Sequence, residues 1–195
     1  MVKRILVIQG HPDAGEHHFC NALARAYVQA AQAAGHEVRE SSVARLDFPL
    51  LRSQQEWEYG MVPKALKPAQ EDILWAEHLV FIFPLWLGEM PAMLKGFLEQ
   101  IARPNFAFTS DRTNPFAHKI LTGRSARVIV TMGMPALVYR FYYRAHSLKS
   151  LERNILGFVG IGPINETLIG MVGNLDEKTA RKWLTKLERL GKAAA

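Results

Sequence analysis

"HLVFIFPLWLGEMPAMLKGFLEQ", residues 78–100, changes character halfway along. Its first seven residues read as a continuous apolar strand of the kind buried on both faces of a parallel sheet. Further on, Met90, Met93, Leu94, Phe97, Leu98 and Ile101 recur at helical spacing, and Pro91 suits a first helical turn. A core strand therefore runs through a very short turn into a helix. The turn is Pro84, Leu85, Trp86, Leu87 and Gly88. None of these is a nucleophile or a strong base.

The same alternation extends in both directions. "RILVIQ" (4–9) is a compact apolar strand, and "NALARAYVQAAQAAG" (21–35) is an Ala-rich helix that Gly35 can cap. "HEVRESSV" (36–43) alternates and reads as an edge strand. Residues 46–64 read as a long loop carrying Trp57 and Tyr59. "KPAQEDILWAE" (67–77) is a helix with Pro68 in its first turn, and residues 103–124 are an irregular excursion. "ARVIVTMG" (126–133) is a fourth strand, residues 136–158 read mostly as helix, and "NETLIGMV" (165–172) is a fifth strand. "DEKTARKWLTKLERLG" (176–191) closes the chain as an amphipathic helix with acids near its start. Five strand–helix alternations predict one doubly wound α/β domain, a parallel sheet with helices on both faces. Such sheets bind ligands beyond the carboxyl ends of their strands, at the switch point.

Composition narrows the possible functions. The 195 residues suffice for one domain, with 49% hydrophobic and 22% charged residues. No apolar run is long enough to span a bilayer, so no membrane insertion is expected. "MVKRILVIQG" leads into "HPD" with no small-residue cleavage site, so it reads as the first strand and not as a leader. Cys20 is the only cysteine, which fits a reducing, cytoplasmic setting. The net charge is +6. The basic residues look scattered, with a modest cluster at Arg140, Arg144, Lys149 and Arg153. A solvated basic face, or attraction of phosphate-bearing small molecules, ranks above a nucleic-acid surface.

Three loops then face the expected ligand position. The first, "GHPDAGEHHFCNAL" (10–23), opens a helix and offers free N–H groups to an anion. It contains neither G-x-G-x-x-G nor the P-loop pattern. His11, Asp13, Glu16, His17 and His18 are possible metal ligands, but their spacing matches no standard zinc site, so no metal is expected. The second loop, Pro84–Leu87, offers apolar area and main-chain N–H groups and suits a flat, uncharged ring. A response regulator would need an aspartate where Pro84 stands. The third, "TMGMPALVY" (131–139), lets the main chain approach a ligand at Thr131 and Gly133, with Tyr139 and His146 beyond as possible proton donors. A phosphate site beside a clamp for a flat ring describes a flavin nucleotide.

In this order, "GHPD…HHFCNAL", "FPLWLGEMPAMLKGFLEQ" and "VTMGMP" resemble the flavodoxin-like NAD(P)H:quinone oxidoreductase family, the DT-diaphorase-like group. The resemblance runs from residue 3 to about 190. It implies a five-stranded sheet of order 2-1-3-4-5, a bound FAD (or FMN), and NAD(P)H as co-substrate. His11 and Phe19 match family positions in the first loop. His18 stands where the family often has Ser, and Cys20 where it often has Asn. Pro84, Leu85, Trp86 and Leu87 match the ring-holding loop, and Thr131, Met132, Gly133 and Met134 match the loop at the flavin's polar edge. Tyr139 matches the active-site tyrosine and His146 lies next to the active-site histidine position. The implied reaction is ping-pong: hydride passes from NAD(P)H to flavin N5 and then to a quinone. Tyr139 and His146 would protonate the quinone oxygen or stabilise its charge. Members are usually homodimers with the site at the subunit boundary, which Trp57 and Tyr59 could line.

Other functions share these features. Some relatives regulate a potassium-efflux system, and azo- or nitro-reductases differ only in the second substrate. Flavodoxin-type electron carriers tend to be acidic, whereas this chain is basic.

Overall fold

The structure is a computed structural model and describes residues 1–15, 17–109 and 119–195. Five parallel strands form one sheet in the order β2-β1-β3-β4-β5. They are β1 (Arg4–Gln9), β2 (Glu37–Ser42), β3 (His78–Pro84), β4 (Ser125–Thr131) and β5 (Ile164–Ile169). The order reverses between β1 and β3, so the switch point lies at their carboxyl ends. β1 pairs with β3 through Val7–Val80, and β3 pairs with β4 as far as Pro84–Thr131. The ends of β3 and β4 are therefore level.

The central strands are apolar on both faces because both are covered. Leu6, Ile8, Leu79, Phe81, Phe83, Val128 and Val130 belong to one core layer, with helices α3 (Lys67–Trp75) and α4 (Ala92–Ile101). Ile5, Val7, Val80, Ile82 and Ile129 belong to the other, with α1 (Phe19–Ala33) and α8 (Glu177–Ala193). β2 is polar and half-exposed, as an edge strand should be.

Three stretches differ from the sequence reading. Residues 46–64 are not wholly loop: α2 (Gln54–Tyr59) forms there, with the Ser53 hydroxyl accepting from the Glu56 N–H. The buried Arg103 guanidinium holds its end by donating to the carbonyls of Glu56 and Gly60. The helix expected over 136–158 is broken. It consists of α5 (Ala136–Phe141), α6 (His146–Ser150), a π-helical turn at 151–156 and α7 (Gly157–Val159). Arg144 and Ala145 adopt left-handed conformations at the break, where the Ala145 N–H donates to the Tyr139 carbonyl. β5 ends at Ile169, three residues earlier than expected, because Met171 turns the chain with φ 58°.

Candidate functional site

The three loops chosen from the sequence meet pairwise at the switch point. The Leu85 N–H donates to the Thr131 carbonyl at 2.7 Å, joining the second and third loops. Cys20 Sγ and Thr131 Oγ1 lie 3.2 Å apart, joining the first and third. The His11 and Trp86 rings meet edge-on at 5.8 Å, joining the first and second.

The second loop is built as a tight turn. Trp86 and Glu89 exchange main-chain hydrogen bonds at 2.9 Å in both directions. Between them Leu87 has φ 48° and Gly88 φ 79°. Positive φ at both central positions is the type I′ arrangement, which explains why a glycine is needed at 88. Leu87 has no such excuse, and its side chain is fully exposed. A large apolar residue is thus both strained and solvent-facing at the end of β3. The sequence reading also expected free N–H groups here. The Leu85 N–H is spent on the Thr131 carbonyl and that of Trp86 on Glu89 within the turn, so the loop presents mainly the side chains of Trp86, half-exposed, and Leu87.

The first loop is organised around two stacked imidazoles, His11 and His18, with centroids 3.7 Å apart. His18 Nε2 bonds Asp13 Oδ2 at 2.7 Å. The Asp13 N–H donates to His11 Nδ1, which leaves Nε2 of His11 as the protonated nitrogen. Burial first, and the neighbouring His18 second, push the His11 pKa below its ordinary value, so this ring is a neutral donor at pH 7. Asp13 is held below the usual carboxylate range by the Gly15 N–H and by His18. α1 begins at Phe19 with no side-chain cap at His18 and no acid in its first turn. Its positive end is therefore available to an anion. Beyond His11 the crevice opens into a polar cavity of about 480 Å³ reaching Asn21, Glu40 and Arg45. Among the described residues no cluster of metal-ligand type occurs, and Glu16 lies outside them.

Some predicted contacts face inward. Cys20 and Thr131 are buried and pair with each other, so neither side chain is free for a phosphate. Burial pushes the Cys20 thiol up to about 11, which keeps it protonated. Met132 is buried in the core and Met134 packs partly against it. Between Thr131 and Met134 the chain faces outward through its main chain at Gly133, where an added Cβ would meet nothing within 4 Å. Phe19 packs against the α1–α8 layer. Tyr139 is buried, with its hydroxyl 2.6 Å from Ser147 Oγ and 3.1 Å from the Leu148 N–H. His146 is exposed. Trp57 lies apart from the loops. It stacks near Phe108 in an apolar cavity of about 610 Å³ on the outer face of α4, whereas Tyr59 is exposed.

One supporting element escaped the sequence reading. The third loop is clamped by the turn after β5: Met171 N–H donates to the Met134 carbonyl and Val172 N–H to that of Met132. Gly170 allows this, since a Cβ there would fall 2.4 Å from the Ala136 nitrogen. A glycine directly after a strand was the available signal.

These features fit a flavin: an uncapped helix start for phosphate, open space over Gly133, and an apolar shelf at Trp86–Leu87. Known proteins resemble the chain in sequence and in fold. A protein of Haemophilus influenzae named as an uncharacterized NAD(P)H oxidoreductase is 26% identical over 186 residues, covering 93% of this chain and 90% of the relative. An NAD(P)H:quinone oxidoreductase from Methanothermobacter marburgensis superposes with TM-score 0.81 at 22% identity over the whole of both chains. An FMN-dependent NADH-azoreductase from Bacillus anthracis, solved with FMN, gives TM-score 0.76 at 15% identity, again over both whole chains. The sequence profile of the family described as having the flavodoxin-like fold matches residues 3–190, and this chain belongs to that family.

Proposed function

We propose that the chain is a flavin-dependent NAD(P)H dehydrogenase acting on quinones. The convergence of an uncapped α1 start with a shelf that offers apolar area but no acid or base carries this reading. Such a shelf suits a ring that supplies its own chemistry. A bound flavin would supply the two-electron hydride chemistry between NAD(P)H and the quinone.

The protein's contribution is positioning and proton supply. The α1 start and the His11 Nε2–H hold the phosphate-bearing part, Trp86 and Leu87 hold the ring, and the main chain at Gly133 borders its polar edge. His146 is exposed beyond the third loop and protonates the quinone oxygen. The Tyr139 hydroxyl is engaged by Ser147 and Leu148, so Tyr139 acts by fixing the start of the helix that carries His146. FAD is the expected form, in line with the resemblance to the quinone-reductase branch. Leu137, Phe141, Tyr142 and Tyr143 are exposed beside the third loop, and burial between two copies in a homodimer would cover them.

The test is direct. The purified protein should be yellow, should release FAD or FMN on denaturation, and should oxidise NAD(P)H with a quinone without any partner. A colourless protein that takes up neither flavin would overturn the reading. The azoreductase likeness provides a second substrate class, to be assayed on the same preparation.

A further inference from the structure

The basic residues are less scattered than the sequence suggests. Lys178, Arg181, Lys182, Lys186 and Arg189 of α8 share one surface with Thr185, and no acid lines it among the described residues. Their spacing, three and four residues apart, puts them in one row opposite the face that packs on α1 through Trp183, Leu184, Leu187 and Leu190. The row spans about 17 Å of helix.

Within the fold Lys186 lies over the Trp183 ring at 4.9 Å, but packing gives no reason for the rest of the row. Like charges at these spacings repel. Lys178 stands in the first turn of the helix, where the dipole disfavours cations. Burial, then Arg127 and Arg189, lower the Lys186 pKa. Among the described residues the row's acidic neighbours are Glu177, in a highly exposed ion pair with Arg181, and Asp176, which attracts Lys182; exposed pairs of this kind stabilise little. The helix thus tolerates self-repulsion that an anionic surface would relieve.

We propose that this face of α8 docks the protein on an anionic lipid bilayer. The choice of lipid over nucleic acid rests on the proposed quinone activity, because a quinone with an apolar tail dissolves in the membrane. It also rests on the composition of the row, which has no amide or aromatic side chain to read or stack a base. The row has no apolar anchor either, so attachment is peripheral and salt-reversible. α8 follows the turn that clamps the third loop, which places the start of the row near the rim of the candidate site.

The experiment uses the flavin-loaded full chain and vesicles of phosphatidylcholine, alone or with an equal part of phosphatidylserine. The protein should sediment with the anionic vesicles, not with the neutral ones, and high salt should release it. Each cation removed should weaken binding about fivefold at low salt. Lys178→Gln/Lys182→Gln should therefore lose about 25-fold, and adding Lys186→Gln and Arg189→Gln more than about a hundredfold. Both variants should turn over a water-soluble quinone normally but use a vesicle-embedded, long-tailed quinone less efficiently than the parent. Equal binding by parent and variants, no preference for phosphatidylserine, or tighter binding to duplex DNA than to the vesicles would overturn the proposal. Docking without turnover of any quinone would leave the lipid surface standing and overturn the enzyme reading instead.

Discussion

Replacing Trp86 by alanine separates a core residue from a ligand shelf. A fully enclosed aromatic side chain buries roughly 150–250 Å². Trp86 is 50% exposed, so only about 100 Å² is at stake in the flavin-free protein, or about 2.5 kcal/mol at most at about 25 cal/mol per Å². For a chain of this size that is a fall in melting temperature of up to about 10 °C. If the indole also stacks on a flavin ring, its removal costs a further 1–3 kcal/mol, roughly 5- to 150-fold in affinity. The assay has two arms: thermal melting of the apo forms and flavin titration of each by fluorescence. Unchanged flavin affinity with a lower apo melting point would return Trp86 to a packing role and refute the shelf.

Other perturbations test the neighbouring parts. Leu87→Asn should stabilise the apo protein by about 1 kcal/mol, since Asn tolerates the left-handed conformation, while flavin binding weakens; a lower apo melting point would deny the strain. Gly133→Leu should leave the apo fold intact, because the added Cβ meets nothing within 4 Å, yet abolish flavin uptake; wild-type affinity would move the third loop away from the ring. His146→Gln should lower kcat for quinone reduction about 10²-fold or more with flavin content unchanged, and full activity would free His146 of its role. Burial, then Lys3 and Arg127, depress the His78 pKa from 6.5 to about 4. A depressed histidine contributes stability that is full above pH 6.5 and is lost as pH falls towards 4, up to about 3 kcal/mol. His78→Gln should flatten that part of the stability–pH curve, and an unchanged slope in chemical denaturation would exclude His78 as its source.

The sheet was legible because three of its strands are buried on both faces. β1, β3 and β4 are nearly unbroken apolar runs in sequence and buried along their middles in the structure. β2 was legible for the opposite reason, as a polar edge. The failures lie where tertiary contacts override local pattern. Nothing in "RFYYRAHSLK" signals a break, yet the chain turns at Arg144–Ala145 because the Tyr139 hydroxyl and carbonyl capture the Leu148 and Ala145 N–H groups. α2 was legible and missed: "SQQE" (53–56) is a capping signature, with Ser53 accepting from the Glu56 N–H. The cationic row on α8 was also present in the sequence, but it emerges only when the helix is read three and four residues at a time.

That three loops meet at the carboxyl ends of β1, β3 and β4 was legible; which way their side chains point was not. Cys20, Thr131, Met132 and Tyr139 turn their side chains inward. Sequence position fixes where the main chain passes, and burial then decides what each side chain can touch. The strained residues give the sharper guide. Among the described residues, six non-glycines have positive φ: Leu87, Asn105, Arg144, Ala145, Met171 and Ala194. Leu87 forms the shelf, Met171 clamps the third loop, and Arg144 and Ala145 deliver His146. Each such conformation costs about 1–2 kcal/mol that a regular turn would avoid. Leu87 and Met171 follow strands that end at the carboxyl edge of the sheet, and Arg144–Ala145 breaks the helical stretch after β4. The second loop can then dispense with acids and bases, because its strain goes into holding an apolar surface against solvent for a ring to occupy.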